Sequence, residues 1–215
     1  SEFIASVSHE LRTPLTPVVA LSHELRDRTA EFSQEELSEF AATIARESDE
    51  VAAIVNDLLV AARFETGQIS VAAEVLDVSE QIEHALGTIA DTEDIQVEAD
   101  GSVIADSGRL RQVLRNLVTN AQHYGGRDIR VTTHQANGTM QITVADSGPG
   151  IPPALRERIF EAYSSAHEDQ SMPASVGLGL TVSRSLATLM GGSLVYHHVD
   201  GWSRMELELP ADSEV

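Results

Sequence analysis

Four short stretches concentrate side chains that could do chemistry. In RNLVTNAQHY, Asn116 and Asn120 stand four residues apart, which puts both amides on one face of a helix. An asparagine carbonyl is a hard oxygen donor of the kind Mg²⁺ accepts, with phosphates and waters completing the shell. In VADSGPGIP, Asp146 closes an apolar run ahead of Gly148, Pro149 and Gly150. A carboxylate there can accept a hydrogen bond from an exocyclic amine, while glycines at positive φ let the backbone approach a flat ring. In SVGLGLTVSRSLATLMGG, Gly177 and Gly179 open an apolar helix, whose exposed N–H groups and positive dipole end suit phosphate. The fourth stretch, SHELRTPLTP, sets His9 beside Glu10 in a helical pattern that also holds Pro14 and Pro17. An interior proline costs about 3 kcal/mol, so two of them invite a reason.

The elements that must carry these groups follow from periodicity. Ile4, Val7, Leu11, Leu15, Val18, Leu21 and Leu25 recur every three or four residues, predicting a helix that ends near Arg28. Ser33 and Glu36 have capping-box spacing, and Leu37, Ala41, Ile44, Ser48, Val51, Val55, Leu58 and Ala62 predict a second helix with a coiled-coil-like seam. Joined by a short loop they form an antiparallel hairpin with apolar surface left over. Two hairpins paired as a four-helix bundle would bury it, so a homodimer is expected. After Thr66-Gly67 the pattern turns mixed, dividing the chain into a hairpin over 1–66, a linker over 67–75 and a second domain over 76–215. There 78–90 and 108–124 read as helices, and two hairpins of alternating residues turn at Asn137-Gly138 and Asp200-Gly201. This predicts an α+β domain with antiparallel strands. SSAHEDQSMPA, 164–174, lacks periodicity and reads as a lid.

Composition narrows the function. The chain of 215 residues is 42% hydrophobic, which suits a folded globular protein of one or two domains. A net charge of −20 with 14 Lys and Arg argues against nucleic acid and against an anionic membrane surface as partners. Cysteine is absent, which removes disulfides and thiolate chemistry and fits a reducing compartment. No apolar run approaches the roughly 20 residues that span a bilayer. With no leader peptide and no starting Met, the chain is expected to be part of a longer one.

Together, in this order, the stretches resemble the motifs of sensor histidine kinases of two-component systems. SHELRTPLT resembles the H box, NLVTNAQHY the N box, DSGPGI the first glycine box, RIFEAY the F box and GLGL the second glycine box. The resemblance covers essentially the whole chain. It implies a dimerisation and phosphoacceptor hairpin followed by an ATP-binding α+β sandwich of the GHKL type. It further implies that ATP phosphorylates His9, with Glu10 as acid/base, and that an aspartate of a response regulator's receiver domain takes the phosphoryl group. Thr13, four residues on, would help position water for regulator dephosphorylation. Asn120 would bind Mg²⁺ with Asn116 nearby, Asp146 would read the adenine amine, and Tyr124 would lie along the nucleotide. Gly148 and Gly150 would shape the base pocket, Gly177, Leu178, Gly179 and Leu180 would meet the phosphates, and Phe160 would pack beneath the lid. A cytoplasmic location is expected for this stretch, whatever anchors the full-length protein.

Three departures bear on rate. His123 stands where the family usually has Lys, Ser175-Val176 replace a glycine ahead of Gly177, and the lid carries no Lys or Arg. They leave open an alternative, a dimeric scaffold that binds ATP weakly and acts mainly as a regulator phosphatase. The H box ahead of a helical hairpin argues against other GHKL ATPases such as chaperones. Pro14 and Pro17 leave the carbonyls of Glu10 and Thr13 without helical donors, predicting a hinge one to two turns after His9.

Overall fold

A computed structural model describes residues 2–66, 69–160 and 178–212. The first helix, α1 (Glu2–Arg28), runs through Pro14 and Pro17 as one element. Around the prolines, the hydroxyls of Thr13 and Thr16 donate to the carbonyls of His9 and Arg12 at 3.2 and 2.8 Å. A 3₁₀ turn at Thr29–Glu31 leads to α2 (Gln34–Glu65). Its start is a full capping box: Ser33 Oγ accepts from the Glu36 N–H at 3.2 Å, and the Glu36 carboxylate accepts from the Ser33 N–H at 2.7 Å. Phe32 meets Phe40 edge-on at 5.0 Å and closes the turn.

Beyond the hairpin, β1 (Glu74–Asp77) pairs antiparallel with β3 (Ser102–Ala105). The main sheet has the order β2-β4-β5-β7-β6, formed by β2 (Gln96–Glu98), β4 (Ile129–Ala136), β5 (Thr139–Asp146), β6 (Ser193–Val199) and β7 (Trp202–Pro210). Helices α3 (Val78–Leu86), α4 (Ser107–Tyr124) and α5 (Gly179–Leu189) lie over one face. Their buried residues, Leu110, Leu114, Leu117 and Leu186 among them, join Met140, Ile142, Leu194 and Leu207 of the strands in one apolar core. The result is the expected α+β sandwich.

Both expected hairpin turns form, with φ of 53° and 76° at Asn137-Gly138 and 53° and 78° at Asp200-Gly201, the left-handed pair that a type I′ turn requires. Two expectations are corrected. The helix expected over 78–90 stops at Leu86, where Gly87 caps it. The strands are not all antiparallel, because β2 pairs parallel to β4. The sandwich is anchored to the chain that precedes it at Asp106. This N-cap of α4 accepts from the Arg109 N–H at 3.0 Å and, across 34 residues, from the Ala72 N–H at 2.9 Å. Val60 of α2 is itself part of the sandwich core.

Candidate active site between hairpin and sandwich

The hairpin and the sandwich enclose a cleft of about 430 Å³. His9 and Thr13 of α1, Arg46 of α2, Asn120 and Tyr124 of α4 and Gly179 of α5 line it. Each arrives by simple helical geometry. His9 and Thr13 are one turn apart and exposed, and Asn120 and Tyr124 repeat that spacing on the opposing helix. His123, exposed, and Leu178, buried at 3% exposure, also reach the cleft. The rings of His123 and Tyr124 meet edge-on at 6.0 Å.

The two N-box asparagines separate. Asn120 is half-buried on the cleft wall. Asn116 is buried, and its amide nitrogen reaches Asp57 of α2 at 3.3 Å, the Gly179 carbonyl at 3.3 Å and Ser183 Oγ at 3.4 Å. Asp57, 7% exposed, also accepts from Gln112 Nε2 at 2.9 Å. Burial pushes its carboxyl above the usual aspartate range, while the amides of Gln112 and Asn116 and the charge of Arg115 pull the other way.

Asp146 lies outside this cleft, at the end of β5. Its Oδ1 accepts from the Gly148 N–H at 2.8 Å and the Gly126 N–H at 3.4 Å. Burial raises its pKa, opposed by those N–H groups and by nearby His198. The expectation of positive φ at both glycines holds only for Gly150, at 76°. Gly148 is demanded by closeness instead, since a Cβ there would sit 2.7 Å from Asp146 Oδ1 and 2.8 Å from the Gly126 nitrogen. The loop is held from below by the Ile151 N–H, which donates to the Tyr196 hydroxyl at 2.8 Å. Phe160 is buried, with the Arg184 guanidinium 4.8 Å above its ring. Leu180 is buried in the core. Gly177, Ser175-Val176 and the expected lid fall outside the described residues, and Glu10 is described only as a position on α1.

Among the described residues no group of three or more His, Cys, Asp or Glu side chains could cage a metal. Asn120 places an amide oxygen on the cleft wall, a hard donor of the kind Mg²⁺ accepts when phosphates and water complete its shell. The permanent cation there is Arg46, which pairs with Glu47 at 3.2 Å. Neither Arg46 nor Asp57 was singled out by sequence. Arg46 sits in a run of mixed charge, and Asp57 became notable only once Gln112, 55 residues away, had covered it.

Known proteins give the arrangement its class. Residues 105–213 match the family described as histidine kinase-, DNA gyrase B-, and HSP90-like ATPase, and residues 1–67 match the His kinase A (phospho-acceptor) domain. Hairpin and sandwich are thus a phosphoacceptor domain followed by an ATPase domain. The chain belongs to the histidine kinases. It is 31% identical over 205 residues to histidine protein kinase DivJ of Caulobacter vibrioides, covering 91% of this chain and 34% of that protein. The chain therefore spans about a third of that relative's length. Full-length ShkA in complex with AMPPNP superposes with a TM-score of 0.62 at 26% identity, covering 98% of this chain and 46% of that one. Histidine kinase ThkA in complex with response regulator protein TrrA shares the fold, with a TM-score of 0.65 at 22% identity over 99% of this chain and 62% of that one.

Proposed function

We propose that this chain is the catalytic core of a sensor histidine kinase, with residues 1–66 as phosphoacceptor and dimerisation unit, 67–75 as linker and 76–215 as ATP-binding unit. The observation that carries the reading is that His9 and Asn120 line one cleft. His9 takes the γ-phosphoryl group on a ring nitrogen, and Glu10 accepts the displaced ring proton. Asn120 would hold Mg²⁺, which would supply neutralisation of the phosphate charge. Asp146 accepts from the adenine amine at the base end, in the loop shaped by Gly148 and Gly150. Tyr124, Asn116, His123, Leu178 and Gly179 flank the phosphate end, where Arg46 adds a permanent charge. His9 then gives its phosphoryl group to an aspartate of a response-regulator receiver domain. Thr13, beside it in the cleft, positions water when the phosphorylated regulator is hydrolysed. The ThkA–TrrA complex is a precedent for the partner. The unit works as a homodimer, on the cytoplasmic side where a response regulator would meet it.

Incubation with γ-labelled ATP and Mg²⁺ tests the reading. The wild-type chain takes up label, and Asn120→Ala takes up none while its oligomeric state is unchanged. Full labelling of Asn120→Ala contradicts the assignment. A second reading, regulator phosphatase with weak ATP binding, is favoured by exposed His123 in place of the usual Lys. It is the correct one if a folded wild-type chain takes no label yet still dephosphorylates a regulator.

A further inference from the structure

We infer that Asp57 is a positioning residue that latches the ATP-binding sandwich onto the hairpin of its own chain, so that His9 is phosphorylated from nucleotide held on the same chain. This rests on the kinase reading and adds to it which chain supplies the nucleotide and what holds the two parts in register.

Asp57 is the only buried acidic or basic side chain among the described residues. Every hydrogen bond the structure gives it crosses from α2 to α4, to Gln112 at 2.9 Å and to Asn116 at 3.3 Å. Asn116 extends the contact to the first turn of α5 through the Gly179 carbonyl at 3.3 Å. A carboxyl removed from water needs such partners to be tolerated, and these exist only while sandwich and hairpin are docked. One turn further along α2, Val60 enters the sandwich core and adds an apolar contact beside the polar one.

The latch lies on a continuous face of α2. Arg46, Glu50, Ile54, Asp57 and Val60 recur at spacings of three and four. The first four line the cleft that holds His9, and the last two make the dock. Fixing Asp57 against α4 therefore fixes Asn120, two turns further along α4 from Gln112, toward His9 of the same chain. Of the three large apolar residues of α2 that stay exposed, Phe64 at 40% sits in the last turn, while Val55 at 42% and Leu59 at 50% lie across the helix from Asp57 and leave room for a partner hairpin. Same-chain transfer and dimerisation thus use different faces.

In the step itself a His9 ring nitrogen forms the new N–P bond as the bond between the γ-phosphorus and the β,γ-bridging oxygen breaks. ADP leaves with that electron pair, and the ring loses a proton to the neighbouring carboxylate. Docking contributes only the approach geometry, where a displacement on the order of 1 Å can cost about a hundredfold in rate.

Mixed chains test the inference. Chains carrying His9→Gln and Asn120→Ala are co-expressed with different tags and the mixed assembly is purified; a second mixture pairs wild type with the His9→Gln, Asn120→Ala double variant. Same-chain transfer leaves the first mixture unlabelled and gives the second about half the wild-type labelling per chain. Label in the first mixture with none in the second overturns it, and a wild-type chain that takes no label contradicts the kinase reading instead. For the latch, Asp57→Ala should slow labelling roughly a hundredfold while affinity for a fluorescent ATP analogue stays within about twofold. Gln112→Glu, which sets a second carboxyl against Asp57 with little change of volume, should do the same. Labelling at the wild-type rate in either folded variant overturns the positioning role, as does a loss of nucleotide affinity equal to the loss of labelling.

Discussion

Two carboxyl groups, Asp57 and Asp146, have pKa values raised by burial, and they differ in what offsets the burial. Asp146 leans first on the Gly148 N–H of its own loop, so that part of its environment was legible in DSGPG, whereas the Gly126 N–H, 20 residues away, was not. Asp57 leans on side chains of another unit, and nothing in VNDLLV announces them. The same asymmetry divides the asparagines. Their spacing shows that both share a face, but not that one turns inward to Asp57. Asn116→Ala should therefore lower stability by about 1–3 kcal/mol, since it leaves a buried carboxyl oxygen short of a partner, whereas Asn120→Ala should leave the melting temperature unchanged. Thermal melts of the two variants check this. Asp57 also sets a pH dependence. With its pKa raised on docking, the docked form keeps a proton that the undocked form has released. Docking is therefore tightest at and below the ordinary aspartate range and weakens as pH rises toward the raised value. Melts across that window should show wild-type stability falling with rising pH at this site, and Asp57→Ala should flatten that part of the curve.

At the level of elements, long periodic segments and tight turns were readable because their causes are local. The capping box at Ser33 and the two type I′ turns formed as their residue types require. The short strands β1, β2 and β3 were not readable, since three or four residues carry too little periodicity, and QVE of β2 is exposed throughout. The seam of α2 was read as a single stripe, but the helix serves two partners. One face docks the sandwich and another leaves Val55 and Leu59 bare, while on α1 Leu15 and Val19, one turn apart, are 41% and 51% exposed. A patch of this kind is best covered by a second copy. Val19→Asp should shift the chain from dimer to monomer in sedimentation equilibrium, with ATP affinity unchanged; a dimer that persists contradicts this use of the face. Pro14, buried at the cleft beside His9, sits in a helix that runs on unbroken, so any hinge is a local loosening of the ladder and not a break. Pro14→Ala should alter the ratio of autophosphorylation to regulator dephosphorylation, and an unchanged ratio argues that the proline is tolerated only.

Over the whole molecule the charge of −20 coexists with a site for a polyanion. The cleft lining does not remove the conflict, because Arg46 and His123 share it with Glu47, Glu50 and Asp57, so a divalent cation bound with the nucleotide would have to neutralise the phosphates. The architecture of hairpin followed by sandwich was legible from motif order. Their docked relation was not, because it depends on Asp57, Gln112 and Val60, whose roles appear only in contact. Thr13→Ala should reduce regulator dephosphorylation more than autophosphorylation, as Thr13 lines the cleft and its hydroxyl donates to the His9 backbone carbonyl and not to the ring that reacts. The central claim is that His9 is the phosphoacceptor. Its most direct test is the chemistry of the label after incubation with γ-labelled ATP and Mg²⁺. The expected result is a phosphoryl group that is lost in acid, survives alkali and is absent from His9→Gln. An acid-stable label, or one retained by folded His9→Gln, contradicts the account.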